Sequence, residues 1–209
     1  GNGYANTVSD EGWRLMGERI DTAKNYLKQA DVLNSKNPRK WSAALIAGLG
    51  SNIDKRAYEE IVSEAQKKEP TYELVLFERS NFLRPRWSGE EGEWEKSIAD
   101  TADKLGGENG DKMYARLLWA AHAMGECKHL YQTPSIDWER AKRGFILLEK
   151  ENPKSLAVTS RFCVLSVSAG DRPQARELFD KLKGRMTESA WTTRKYFSKS
   201  RDWAYAMKS

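Results

Sequence analysis

The apolar residues of this chain recur every three or four positions, with polar residues between them. Trp13, Met16, Ile20, Ala23, Leu27 and Ala30 share one face, the spacing that a 3.6-residue turn imposes. Ser9-Asp10-Glu11-Gly12 offers that helix a capping start, since a serine oxygen can accept from a backbone N–H of the first turn. Asn37-Pro38 closes this unit and opens a second helix with Trp41, Ala44, Leu45 and Leu49, broken by Gly48 and Gly50-Ser51-Asn52. Asp54 caps a third, with Tyr58, Ile61, Val62 and Ala65 inward, and Pro70 opens a fourth through Leu74, Phe77 and Leu83.

The middle of the chain is less regular. Pro85 and Gly89 both interrupt helix, so Arg84-Pro85-Arg86-Trp87-Ser88-Gly89 reads as a turn. Glu93 to Leu105 reads as helix and Gly106 to Gly110 as a loop, followed by a face of Tyr114, Leu117, Leu118, Ala121 and Met124. Ser135 or Asp137 starts the next helix, carrying Trp138, Ala141, Phe145 and Leu148. Pro153 opens Leu156 to Val167. Ala169-Gly170-Asp171 then turns into Pro173 to Leu182, and Thr187 begins the last helical stretch. The strand-like residues Val158-Thr159 and Val164 to Val167 keep a helical apolar spacing. The expectation is an all-α chain of about ten helices with no sheet.

Three helix ends share a polar stop followed by proline, at Pro38, Pro70 and Pro153. The first two prolines are 32 residues apart, close to the ~34 of a tetratricopeptide unit. A helix pair with one apolar face cannot bury it alone, whereas stacked neighbours can. This predicts a right-handed α-solenoid of helical hairpins forming a single domain over residues 1–209. The segment Phe162-Cys163-Val164-Leu165-Ser166-Val167-Ser168-Ala169-Gly170-Asp171, continued by Ala175-Arg176-Glu177-Leu178-Phe179, resembles a tetratricopeptide hairpin.

A wider resemblance rests on Gly3-Tyr4-Ala5-Asn6-Thr7-Val8-Ser9-Asp10-Glu11-Gly12-Trp13, on Leu83 to Gly89 and on Tyr114-Ala115-Arg116. These segments resemble a bacterial domain family of unknown function with tetratricopeptide-like repeats, over roughly residues 3–205. The resemblance implies the fold and an upstream segment before Gly1. It assigns no catalytic residue, ligand or cofactor.

Charge sharpens the picture. The chain of 209 residues carries a net +5, but residues 181–209 hold eight bases against two acids. Aromatics interleave there: Trp191, Tyr196, Phe197, Trp203 and Tyr205. Bases beside stacking faces are what single-stranded nucleic acid requires; a terminal cap with solvated bases has the same composition. No run approaches the ~18 apolar residues of a membrane span. Two cysteines, Cys127 and Cys163, form no disulfide framework and leave the compartment open between cytoplasm and periplasm.

Candidate chemistry is sparse. His122, Cys127 and His129 are spaced by five and two residues, so they share no helix face, and no metal site is expected. The acidic pairs Glu59-Glu60, Glu90-Glu91 and Glu149 with Glu151 read as solvated faces. No nucleotide-binding glycine loop or nucleophile elbow is present. No cofactor and no enzyme activity are expected. The turn Arg84-Pro85-Arg86-Trp87 places two guanidinium groups beside an indole, able to hold a carboxylate, phosphate or peptide terminus. Trp87, Trp191 and Trp203 are the candidates for partial exposure at a binding surface, and Trp13, Trp41, Trp119 and Trp138 sit at core spacing. The function this implies is a protein or peptide scaffold with a concave groove, with Arg84, Arg86, Trp87, Tyr114 and Arg116 as contacts. The alternative is nucleic-acid or acidic-partner binding through Arg194, Lys195 and Arg201.

Overall fold

A computed structural model describes residues 5–33, 35–70, 72–125, 129–133 and 135–206. Among these residues there are eleven α-helices, two short 3₁₀ turns and no strand. The chain divides into two compact units, Gly1–Glu91 and Gly92–Ser209.

The first unit contains α1 (Asp10–Val32), α2 (Arg39–Gly50), α3 (Lys55–Lys68) and α4 (Leu74–Phe82). Two of its starts are written in the sequence. Ser9 Oγ accepts from Gly12 N at 3.1 Å, and Asp54 Oδ1 from Ala57 N at 3.0 Å. Helices α2, α3 and α4 pack on one another around Leu45, Tyr58, Val62, Ala65, Val75 and Phe82. The Tyr58 ring stacks on Phe82 with centroids 3.7 Å apart, and its hydroxyl donates to the Glu78 carbonyl.

The expected core face of α1 is not a core. No residue of α1 is buried, and Trp13 is 45% exposed. The physical reason is coverage: within this unit α1 packs chiefly on α2, and one neighbour covers only part of a helix. Its Ile20 and Met16 lie on Gly50, where an added Cβ would meet them at 3.0 and 3.5 Å.

The second unit contains α5 (Glu93–Leu105), α6 (Gly107–Ala123), α7 (Trp138–Glu151), α8 (Leu156–Ser168), α9 (Arg172–Leu182), α10 (Glu188–Trp191) and α11 (Arg194–Tyr205). Successive helices from α5 to α9 pack pairwise. Asp137, Ser155 and Asp171 each cap the helix that follows, accepting from Arg140 N, Val158 N and Gln174 N. The core runs through Ile98, Tyr114, Leu118, Phe145, Phe162, Leu165, Leu178 and Trp191.

Two features depart from the sequence expectation. Residues Gly107 to Gly110 are the first turn of α6, and the loop shrinks to Gly106. Glycine is needed there because α5 is so close: a Cβ on Gly110 would stand 2.3 Å from the Ala102 carbonyl oxygen. The last stretch is two helices, broken at Thr192 (φ 55°). On one helix Trp191 and Phe197 would point about 120° apart, at ~100° per residue. The break lets both rings reach Phe179, at 5.4 and 5.3 Å.

The proline grammar is also looser than it reads. Pro38 stands one residue before its helix, Pro70 four and Pro153 three.

Candidate functional site

The residues expected to contact a partner fall in different places. In the first unit, Arg84 is only 3% exposed and donates to Asn81 Oδ1 at 2.5 Å. It therefore belongs to the turn, not to a binding surface. Arg86 is exposed and Trp87 is 50% exposed. The turn is tightly built: Arg84 O accepts from Trp87 N at 2.8 Å, and a Cβ on Gly89 would lie 1.8 Å from Leu83 O.

In the second unit, Tyr114 is 1% exposed and cannot face a partner. Its hydroxyl accepts from Asp137 N at 2.9 Å, and the Arg140 guanidinium lies over its ring. Arg116 is exposed on α6, and Trp119 is half-buried with the Arg161 guanidinium 5.7 Å from its ring centre.

The basic C-terminal segment is exposed in charge and mixed in aromatics: Trp191 and Phe197 are buried, Trp203 is half-buried, and Tyr196 and Tyr205 are exposed. Arg194, Lys195 and Arg201 are exposed. Trp191, a candidate for partial exposure, is fully buried because it fills the Phe179–Phe197 cluster. Trp203 is half-buried beneath the Arg172 guanidinium, and the Tyr205 hydroxyl donates to Asp180. Lys208 lies outside the described residues, as does Cys127 of the His122–Cys127–His129 triplet.

Among the described residues, no group of three His, Cys, Asp or Glu side chains converges as metal ligands do. Two of the three acidic pairs are tied into ion pairs, Glu59 with Arg79, Glu60 with Arg56, Glu149 with Lys181 and Glu151 with Lys112. Cys163 is buried, its thiol 3.8 Å from the Ala175 carbonyl, and burial pushes its pKa well above the ordinary thiol value. No helix among the described residues is long and apolar enough to cross a membrane.

An extended surface opening lies in the second unit, at the ends of α7, α8 and α9. Two depressions adjoin, sharing Leu156 and Arg185. The first runs from Ile146 and Glu149 past Pro153 and Thr159 to Lys181. The second continues through Met186 and Glu188 to Thr192 and Arg194. Along this groove stand the bases Lys150, Lys154, Lys181, Arg185 and Arg194, against the acids Glu149 and Glu188. Arg194 donates to the Gly184 carbonyl at 2.7 Å, which fixes the far rim.

Sequence reasoning found half of this rim. The bases from Lys181 onward belong to the charged segment it singled out, but Lys150 and Lys154 come from the α7–α8 connection. Only packing of α7, α8 and α9 brings the two sets together. Compared with protein-family models, curated proteins and solved structures, the chain matches none.

Proposed function

We propose that this chain is a protein-interaction module, a right-handed tetratricopeptide-like array whose second unit receives an extended segment of a partner protein. The observation that carries this is the groove at the ends of α7, α8 and α9. Its apolar residues, Ile146, Pro153, Leu156 and Met186, line the same two depressions as the bases Lys150, Lys154, Lys181, Arg185 and Arg194. The packing of helices two apart, α6 on α8, α8 on α10 and α9 on α11, supports a stacked array. An extended peptide fits such a surface, since apolar pockets take its side chains and the rim sets its register.

The nucleic-acid reading has less support. Base stacking needs open aromatic faces; Trp191 and Phe197 are buried, and of the exposed rings Tyr205 is covered by the Arg176 guanidinium and bonded to Asp180, while Tyr196 packs on Trp191. The test is selection of displayed random peptides on the full chain, with and without a blocked groove. A Lys154→Cys variant in a Cys127→Ser background, coupled to maleimide-polyethylene glycol, places the block. Peptides that bind the open protein and not the blocked one support the reading. Equal binding to both contradicts it.

A further inference from the structure

We infer that the segment received by this groove is acidic, carrying leucine-like side chains among its carboxylates; the inference rests on the peptide-groove reading above. The charge arrangement is the reason. Of the two acids along the groove, Glu149 is already compensated, which leaves Glu188 against the four bases Lys150, Lys154, Arg185 and Arg194. Thr159 Oγ1 donates to its Oε1 at 2.9 Å, and Lys181 Nζ to its Oε2 at 3.0 Å. Among the described residues no acid pairs with Lys150, Lys154, Arg185 or Arg194. Arg185 and Arg194 donate to the backbone carbonyls of Leu182 and Gly184, and the Arg194 guanidinium also lies 5.3 Å from the Phe197 ring centre. Lys150 and Lys154 are exposed with no hydrogen-bond partner among the described residues.

A neutral segment laid here would cover these cations and give them nothing in return, and desolvating an unpaired charge is costly. A basic segment would be repelled. An acidic one supplies carboxylates to these bases, and its apolar side chains fill the strip along Ile146, Pro153, Leu156 and Met186. A nucleic acid would meet the bases, but no aromatic side chain among the described residues lines the groove for its bases to stack on.

The experiment is fluorescence anisotropy on the full chain with a fluorescein-labelled peptide of alternating glutamate and leucine. A lysine–leucine peptide, an oligoglutamate and oligothymidylate serve as comparison probes. Lys150→Glu with Lys154→Glu is the test variant; both side chains are exposed, so folding is retained, and circular dichroism checks it. The glutamate–leucine peptide is expected to bind more tightly than the other three. The double reversal should weaken it by about tenfold or more, since it turns two attractions into repulsions. Unchanged affinity in the variant overturns the proposal. So does equal binding of oligoglutamate, which would make the apolar strip irrelevant, or tighter binding of oligothymidylate, which would favour a nucleic acid. A peptide selection that converges on groove-dependent neutral or basic sequences overturns the acidic occupant and leaves the peptide groove standing. A selection with no groove-dependent binder removes both.

Discussion

Lys181 Nζ lies 3.0 Å from Glu149 Oε2, joining the end of α9 to the end of α7. The same carboxylate accepts from Thr159 on α8, so one acid ties three helices together at the groove floor. Lys181 also pairs with Glu177 on its own helix. Glu149→Gln keeps an oxygen acceptor for Thr159 and removes one negative charge from the groove. Affinity for the glutamate–leucine peptide should rise about two- to fivefold, the scale of one partly exposed charge contact. A loss of affinity would mean that Glu149 serves the groove by holding Lys181 in place.

Gly144 of α7 is where the second unit has least room. A Cβ there would stand 2.0 Å from the Asp111 carbonyl oxygen and 2.8 Å from the Ala115 Cβ. Arg140 and Arg143 clamp the same place, both bonded to the Asp111 carboxylate. Gly144→Ala should cost about 3 kcal/mol, the upper range for overpacking, because backbone cannot step aside. Gly17→Ala is the contrast: nothing lies within 4 Å of its added Cβ. That change should stabilise by about 0.5–1 kcal/mol through helix propensity. Urea unfolding of both variants reads the difference.

Asp171 links α7 to α9. It accepts from the Trp138 indole N–H and from Lys142, each at 3.0 Å, while capping α9. Burial opposes its ionisation, but these hydrogen bonds outweigh burial and hold its pKa below the ordinary aspartate value. A lowered folded pKa stabilises fully above the unfolded value, near pH ~4. That stability is lost as pH falls through the folded value. Asp171→Asn should therefore lower stability at neutral pH and flatten the acid limb below about pH 4. Melting curves against pH check it; an unchanged acid limb would place the acid sensitivity elsewhere.

Cys163 is expected to be chemically silent in the folded state. It is buried on α8 and its raised pKa keeps it a thiol at neutral pH. In a Cys127→Ser background, Ellman's reagent should titrate no thiol until denaturant is added. Rapid native labelling would show that the α8–α9 packing opens readily.

Much of the fold is legible in the sequence because its signals are local. Ser9 and Asp54 cap where the sequence places them, and Asp137 is one of the two starts it offers for α7, while the caps Ser155 and Asp171 read only as part of a proline opening and a turn. What is not legible depends on neighbours. The α1 stripe looks like a core face, but in the first unit α1 packs chiefly on α2. Trp191 and Phe197 lie in a stretch that reads as one helix, and the shared contact with Phe179 breaks it. Tyr114 and Arg84 carry groups that suit a binding surface, and both are buried. The groove is least legible of all, since its two sets of bases are about thirty residues apart in sequence, Lys150 and Lys154 in one and Lys181 and Arg185 in the other.

The most direct test of the account is an amide chemical-shift map of the isotopically labelled chain during titration with the glutamate–leucine peptide. The account predicts shifts concentrated in residues 146–159 and 181–194, at the ends of α7, α8 and α9. Shifts centred on Arg86 and Trp87, or spread evenly over Lys195, Lys199 and Arg201 with residues 146–159 unmoved, would contradict it.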